Sequence, residues 1–323
     1  MPSESWLYEK TTQPNLAQRI LKRLSQVTSS CATRVAMATS TSTATAATGR
    51  APVYFVSHGG PNIMYDVEHP AFHQLQKIGK EITTKVKPKA IVVFSAHWQA
   101  AAGSKVEVNT AESTDLIYDY HGFPDHYYKH KYPNVGSKEL AEKVLGLLKE
   151  AGIESEGVRR GPDHGVFTPF TCMFDPEDNP LGVPLVQVSL FSQEDPNMHY
   201  ALGKAVSKLR DEGVVIIGSG MAVHNLRDLR SAMMSGGPLD YVAPFDSALK
   251  EAVTNVTLGE ERKTKLAELL HRNDARRAHP TFEHLLPVHI ASGAAGDDKA
   301  IQLWTLPEMS MSWAQYRFGE VQS

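Results

Sequence analysis

The chain has 323 residues, of which 41% are hydrophobic and 21% are charged, and its formal net charge is −3. This composition is ordinary for a globular protein, and the length allows a full hydrophobic core without disulfides or a structural metal. Because Lys and Arg are not in excess, the charge gives no support for a nucleic acid or an anionic membrane as partner.

The cysteines and the hydropathy pattern bear on the compartment. The chain has two cysteines, Cys31 and Cys172, which is too few for a disulfide framework. It has no run of 18 apolar residues, so we expect no transmembrane segment. These features predict a protein of a reducing compartment, the cytoplasm, and they leave its oligomeric state open.

The first 50 residues differ from the rest of the chain. Between residues 15 and 50 there is no acidic residue, and Ser, Thr and Ala dominate. Such a segment cannot bury enough apolar surface to offset the entropy lost on ordering, which predicts a disordered tail. Its Arg, Lys, Ser and Thr residues also resemble a mitochondrial transit peptide, against which Glu4 and Glu9 argue. Met37 is an alternative start, and we expect the folded domain to span residues 51–323.

From residue 53 onward, short apolar runs alternate with amphipathic segments. The apolar runs predict buried strands at residues 53–56, 90–94, 184–190 and 214–217. Helical periodicity follows Ser137, recurs over residues 202–209, and appears again around Phe245 and around Leu266. Near-continuous apolar strands between helices indicate a single α/β domain with a mainly parallel central sheet flanked by helices.

Three histidines follow predicted strands of this sheet. His58, His97 and His224 each stand just past the C-terminal end of an apolar run. In open α/β sheets, ligands bind in the crevice outside these strand ends, so the three side chains are expected to converge. A single histidine beside glycine is usually an ordinary turn residue, but three at equivalent places favour a metal site, since imidazole binds Zn, Fe, Cu and Ni.

Two further histidines lie in segments that are expected to be loops. His164 lies within residues 161–165 (GPDHG), and His284 lies within residues 279–287 (HPTFEHLLP). Taken alone, each is typical of a loop histidine. Gly218 and Gly220 follow a predicted strand, but the third glycine of a dinucleotide-binding loop is absent, which disfavours nucleotide binding.

Six motifs occur in order along the chain. They are residues 57–61 (SHGGP), 95–98 (SAHW), 120–124 (YHGFP), 163–165 (DHG), 218–227 (GSGMAVHNLR) and 279–284 (HPTFEH). The ordered set closely resembles the class III extradiol ring-cleavage dioxygenases, and within them the 4,5-DOPA extradiol dioxygenase branch. The resemblance covers about residues 52 to 318 and is specific as a set, although each motif alone is not. It implies that residues 51–323 form an extradiol dioxygenase catalytic domain.

The resemblance also implies the roles of the histidines. It implies a non-haem Fe(II) or Zn(II) site, in which His58 and His97 match the two strand-end ligands and His284 matches a late metal-binding histidine. His224 matches a histidine that is either metal-bound or an acid–base group. His164 matches a histidine beside the substrate, so the expected catalytic residues are His164 and His224.

Two positions leave questions open. More distant members of the family use a glutamate as third ligand, which makes Glu283 an alternative to His284. Adjacent residues rarely both face one metal, and we expect His284. Many members have Ser before the proline of the first motif, whereas this chain has Gly60. That difference removes no ligand and bears on substrate preference.

The expected function is extradiol cleavage of the ring of a DOPA-like catechol by O2. Two alternatives use the same scaffold. The first is a zinc-dependent hydrolase, which activity without oxygen would reveal. The second is a non-catalytic metal-binding interaction protein, against which the presence of both His164 and His224 argues. The sequence does not name the physiological catechol or the native metal.

Overall fold

One large sheet runs through the centre of the domain in the computed structural model, which describes residues 49–101, 103, 105–256 and 259–321. Its strands are β1 (Val53–Ser57), β2 (Ala90–Gln99), β3 (Val106–Asn109), β4 (Ser155–Val158), β5 (Leu185–Leu190), β6 (Val214–Gly220), β8 (Ala300–Trp304) and β11 (Gln315–Phe318). A second, three-stranded sheet consists of β7 (Val223–His224), β9 (Pro307–Glu308) and β10 (Met311–Ser312).

Helices connect these strands. In chain order they are α1 (Pro70–Glu81), α2 (Lys138–Glu150), α3 (His164–Met173), α4 (Pro196–Val206), α5 (Leu229–Ser235), α6 (Val242–Thr254), α7 (Gly259–Leu269), α8 (Ala275–Ala278) and α9 (Leu286–Ala295). Helix α2 begins where the sequence predicts, because the side chain of Ser137 accepts a hydrogen bond from the backbone amide of Leu140. In the described part of the chain, no helix is long and apolar enough to cross a membrane.

The large sheet has the order β4-β3-β5-β2-β6-β1-β11-β8. The neighbouring pairs from β5 to β1 are parallel, and β3–β4 is parallel as well. Strands β11 and β8 add an antiparallel edge beside β1, and β3 pairs antiparallel with β5. The sheet is therefore mainly parallel, as predicted. Because β2, β6 and β1 are neighbours with the same direction, their C-terminal ends meet at one edge.

The apolar runs form the core of this sheet. Every residue of β1, β5 and β6 is buried, as are the first seven residues of β2. Helices cover these strands, with α9 packed against α4 and β6, and α3 packed against α1 and β2. Strands buried on both faces need side chains that are apolar throughout, which explains the continuous rather than alternating pattern.

Two local predictions were wrong. Strand β2 continues to Gln99, so His97 lies within the strand rather than after it. His164 is the first residue of helix α3 rather than part of a loop. The glycines and proline around residue 164 suggested a turn, but Gly161 and Pro162 precede the helix and Gly165 lies within it. The predicted tail over residues 1–50 lies almost wholly outside the described residues, and Arg50, at its end, pairs with Asp211 at 3.1 Å.

Candidate active site

The edge where β1, β2 and β6 end carries a cluster of imidazoles. His58 directly follows β1, and its backbone amide donates to the carbonyl of Gly220 at the end of β6. His97 lies near the end of β2, and His224 lies in the short strand β7 that follows β6. The strand ends therefore bring together residues that are far apart in the chain.

His284 joins the cluster through the start of α9. Its carbonyl accepts a hydrogen bond from the amide of Met221, just after β6. A Cβ on Gly220 would lie 2.1 Å from that carbonyl oxygen, and a Cβ on Gly218 would lie 2.3 Å from the carbonyl oxygen of Pro287. Only glycines at these two positions let β6 and α9 approach closely enough to place His284 beside the strand-end histidines.

Two short contacts between imidazole nitrogens meet at His97 in this cluster. Nε2 of His97 lies 3.1 Å from Nε2 of His58 and 3.1 Å from Nε2 of His284. His58 and His284 are nearly inaccessible to solvent. Two separate sets of possible ligand atoms each lie within 4.8 Å of one another, one from His58, His97 and His164 and the other from His224, Glu283 and His284. The contacts of His97 connect the two sets.

The opposite nitrogen of each converging ring is held by an oxygen. Nδ1 of His58 lies 3.1 Å from Oγ of Ser219, whose hydroxyl donates to the carbonyl of Gly165. Nδ1 of His97 lies 3.2 Å from a carboxylate oxygen of Asp119. Nδ1 of His284 lies 2.9 Å from Oε1 of Glu283. A carboxylate can only accept, and the Ser219 hydroxyl has already given its proton, so all three Nδ1 atoms act as donors.

This arrangement leaves the Nε2 lone pair of His97 facing those of His58 and His284. Unshared lone pairs at 3.1 Å repel unless a cation lies between them. Imidazole nitrogens bind a metal ion at about 2.0–2.1 Å, so two of them at angles between octahedral and tetrahedral are about 2.9–3.4 Å apart. The observed separations fall in this interval. The donor set therefore fits a divalent metal, and the tied Nδ1 atoms are the outer contacts that orient metal-binding histidines.

His164 and His224 flank the three converging rings. Nδ1 of His164 donates to the second oxygen of Asp119 at 2.8 Å, and its ring centroid lies 3.8 Å from that of His97. The ring of His224 stacks on that of His284, with centroids 3.6 Å apart and planes 15° apart. The two rings therefore lie face to face, and His224 also belongs to the set of possible ligand atoms that contains His284.

Burial sets the charge of these groups. Desolvation lowers the pKa of His58 and of His284 well below the usual value for imidazole, and the neighbouring imidazoles lower both further. It lowers the pKa of His224 to about 3, with His279 as the next contributor. Desolvation also lowers the pKa of His164, with a contribution from His97 that Asp119 opposes. The buried imidazoles are thus neutral near pH 7, which is the form that binds metals or accepts protons.

Asp119 remains a carboxylate although it is largely buried. Burial raises its pKa, but the hydrogen bonds from His164 and His97 outweigh this effect and hold the pKa well below the usual range. Its Oδ1 also accepts the backbone amide of His164. One carboxylate thus orients a ring on β2 and the first residue of α3.

Sequence reasoning named every histidine of this cluster but missed the groups that hold them. Asp119 directly precedes the motif at residues 120–124, which is a signal that could have been weighed. Ser219 lies between the two glycines of β6 and carries no signal of its own. Glu283 was weighed only as a rival ligand, whereas its carboxylate accepts from His284.

Comparisons with known proteins agree with this geometry. Residues 49–319 match the family described as the catalytic LigB subunit of aromatic ring-opening dioxygenase. A 4,5-DOPA dioxygenase extradiol of Beta vulgaris is 38% identical over 271 residues, which are 82% of this chain and 95% of the relative. A protein of the same name from Escherichia coli is 32% identical, over 76% of this chain and 85% of the relative.

The fold agrees as well. The crystal structure of an uncharacterized protein from Escherichia coli K12 superposes with a TM-score of 0.66 at 29% sequence identity, covering 84% of this chain and all of that one. The family match spans most of the domain, including the strand ends, Asp119 and the start of α9. The chain therefore belongs to the family of catalytic LigB subunits of aromatic ring-opening dioxygenases.

Proposed function

We propose that this dioxygenase cleaves a DOPA-like catechol in the extradiol manner, adding both atoms of O2 to the ring that it opens. The relatives named 4,5-DOPA dioxygenase extradiol support this substrate class. Its cofactor is a non-haem Fe(II) or Zn(II) ion, and its partners are the small-molecule catechol and O2.

The observation that carries the proposal is the approach of Nε2 of His97 to Nε2 of His58 and of His284, in three rings whose Nδ1 atoms all donate to an oxygen. His58, His97 and His284 hold the metal. When bound, a non-haem iron ion would supply a Lewis acid for the catechol oxygens and an electron path to O2. Glu283 then serves as the acceptor that orients His284, not as the third ligand.

His224 is an acid–base group in this proposal, not a fourth ligand. Its ring stacks on His284 instead of converging with it. Burial lowers its pKa to about 3, so the imidazole is neutral at neutral pH and carries a lone pair.

His164 shares this work from the other side of the cluster. Because its Nδ1 donates to Asp119, its Nε2 carries the lone pair and can receive a proton from a catechol hydroxyl. Asp119 stabilises the imidazolium that results, since the carboxylate lies 2.8 Å from Nδ1. The same group returns the proton when the ring has opened.

The experiment is reconstitution of the metal-free protein with Fe(II) under nitrogen, followed by L-DOPA and oxygen. We expect one O2 consumed per L-DOPA and a visible absorbance from the semialdehyde product. Turnover of an ester or amide by the zinc form without oxygen would instead favour a hydrolase. Metal binding with no oxygen uptake on any catechol would favour the non-catalytic alternative.

We also propose a cytoplasmic location, with mitochondrial import as the alternative for the first 50 residues. A fluorescent protein fused to the C-terminus of the full chain distinguishes them by microscopy. Co-localisation with mitochondria that is lost on removal of residues 1–48 would contradict the cytoplasmic assignment.

A further inference from the structure

The small sheet presents one open face beside the imidazole cluster. In its antiparallel ladder, Met311 stands opposite His224 on one side and opposite Glu308 on the other. Directly opposed residues of antiparallel strands point to the same face, so these three side chains share one face. All three are partly exposed, whereas Val223 and Ser312, which face the other way, are buried. The open face thus carries His224 at one end and Glu308 at the other.

Glu308 is also linked, through Trp313, to the backbone beside His58. Its Oε2 accepts Nε1–H of Trp313 at 2.8 Å. The ring of Trp313 covers Gly59, where an added Cβ would lie 1.9 Å from the ring. Gly59 follows His58 and has a φ of +65°, so the indole packs against the backbone of the cluster itself. The hydrogen bond from Trp313 therefore holds Glu308 at the border of the active site.

The second donor to Glu308 is His69, which precedes α1. Nδ1 of His69 accepts the backbone amide of Ala71, so in the neutral ring Nε2 carries the proton. Nε2 donates to Glu308, at 3.1 Å from Oε2 and 3.3 Å from Oε1. Both short bonds thus fall on Oε2. Oε1 retains the greater capacity to accept another donor, because a carboxylate has about four acceptor sites.

No Lys or Arg within the described ranges forms an ion pair with Glu308. Burial raises its pKa, but the hydrogen bonds from His69 and Trp313 outweigh this effect and hold the pKa below its usual value, so the group is ionised at neutral pH. Among the residues that the structure describes, its ion-pair partner is His69. The Glu308 side chain is 30% exposed. A half-buried anion with no strong cation attracts a ligand cation.

The separation of the two outer strands is comparable in size to an aminoethyl catechol. Adjacent strands are about 4.8 Å apart, so the backbones of Glu308 and His224 are about 10 Å apart across Met311. In an extended dopamine, the ammonium nitrogen lies on the order of 8 Å from the catechol oxygens. A catechol with its hydroxyls toward His224 and the converging Nε2 atoms would direct an ammonium group toward Glu308.

We infer that Glu308 is a specificity-determining residue, which binds the ammonium group of an amine- or amino-acid-bearing catechol at the border of the active site. This inference rests on the proposed cleavage of catechols. It assigns the selection of the side chain to a carboxylate on β9, outside the histidine cluster. Met311 forms the apolar floor between the two ends of the substrate.

Glu308→Gln tests the charge while preserving the structure. The amide oxygen can replace Oε2 as acceptor from both Trp313 and His69, so the two ties persist. We expect the ratio of kcat/KM for dopamine to that for 4-methylcatechol to fall about 10- to 100-fold, the scale of one lost charge-assisted hydrogen bond. Most of the change should appear in KM. L-DOPA should follow dopamine if the ammonium group is what the site recognises.

Two control variants separate charge from position. Trp313→Phe keeps the Glu308 charge and loses one of the two donors that position it, so it should lower the ratio less than Glu308→Gln does. Glu139→Gln removes an exposed carboxylate on α2 and should leave the ratio at the parent value. An anaerobic titration of the metal-loaded protein with dopamine and 4-methylcatechol gives the same comparison as Kd, without turnover.

The outcomes distinguish the two proposals. If the parent binds dopamine and 4-methylcatechol equally, or if Glu308→Gln weakens both equally, Glu308 does not recognise ammonium, whatever the reaction. If the parent cleaves neither catechol but the Kd ratio changes as expected, the subsite stands and the proposed reaction fails. If the ratio falls for dopamine but not for L-DOPA, the site binds amines and rejects amino acids, which contradicts the inference for L-DOPA.

Discussion

Asp119 accepts a hydrogen bond from Nδ1 of His164 at 2.8 Å. Its other oxygen lies 3.2 Å from Nδ1 of His97, so one carboxylate orients a proposed metal ligand and a proposed acid–base group together. Both rings must be protonated on Nδ1 for this pattern to hold. The two functions of the site therefore depend on one acidic side chain that the motifs do not include.

Asp119→Asn should disturb both functions. The amide of Asn offers one accepting oxygen, and its NH2 group would face the Nδ1–H of the other ring, which must then change its tautomer or move. We expect a 10- to 100-fold loss of metal affinity, the usual effect of losing such an outer contact. Competition with a chelator measures the affinity, and kcat at saturating metal measures the acid–base effect.

Glu107→Gln is the matched control for this variant. Glu107 accepts from Nε1 of Trp98, the residue next to His97, and the amide oxygen of Gln can replace it. Metal affinity should stay at the parent value. Parent-like affinity and kcat in Asp119→Asn would show that neither His97 nor His164 needs the carboxylate.

His284→Ala and Glu283→Gln should have opposite effects on metal content. Removing His284 deletes one of three converging nitrogens, and we expect the metal to be lost. In Glu283→Gln the amide oxygen still accepts Nδ1–H of His284, so the metal should stay bound with somewhat lower affinity. Elemental analysis of the purified variants decides the matter. Metal loss in Glu283→Gln with retention in His284→Ala would make the carboxylate the ligand.

The sequence could decide part of this site and not the rest, for physical reasons. Continuous apolar runs mark buried parallel strands, so the places of His58 and His224 followed from β1 and β6. The spacing of residues could not decide whether Glu283 or His284 points toward the metal site, because two adjacent residues differ there only in the direction of their side chains. That direction is set by the close contact between β6 and the start of α9. Helix α9 was missed, because it is buried throughout and shows no polar face.

His164→Ala and His224→Ala should retain the metal and lose turnover. Neither ring belongs to the three converging nitrogens, so metal content should stay near that of the parent. Each loss removes a proton acceptor near the substrate, for which we expect kcat to fall roughly 10²- to 10⁴-fold. Stopped-flow absorbance with L-DOPA gives kcat, and elemental analysis gives the metal. A His224→Ala protein without metal would show that His224 is a ligand after all.

Acid should destabilise the metal-free protein through histidines outside the active site. His289 lies in α9, its Nε2 lies 3.3 Å from the carbonyl oxygen of Leu266, and its side chain is fully buried. Burial, followed by His199, lowers its pKa to about 4 from 6.5. Above pH 6.5 the ring is neutral in both states, and its contribution to stability is fully present. As the pH falls, the unfolded chain takes up the proton first, and stability is lost until the folded pKa is reached.

The size of this effect can be measured by substitution. A depression from 6.5 to about 4 corresponds to about 2–3 kcal/mol of unfolding free energy lost between pH 7.5 and pH 4.5. In His289→Gln, whose amide can still donate to the carbonyl of Leu266, the difference between these two pH values should shrink by about that amount. Urea unfolding of the chelator-treated protein gives both free energies, and His271→Gln controls for the loss of an exposed imidazole. An unchanged pH difference in His289→Gln would mean that this ring takes up its proton in the folded state as readily as in the unfolded chain, and the acid sensitivity would then belong to the active-site imidazoles.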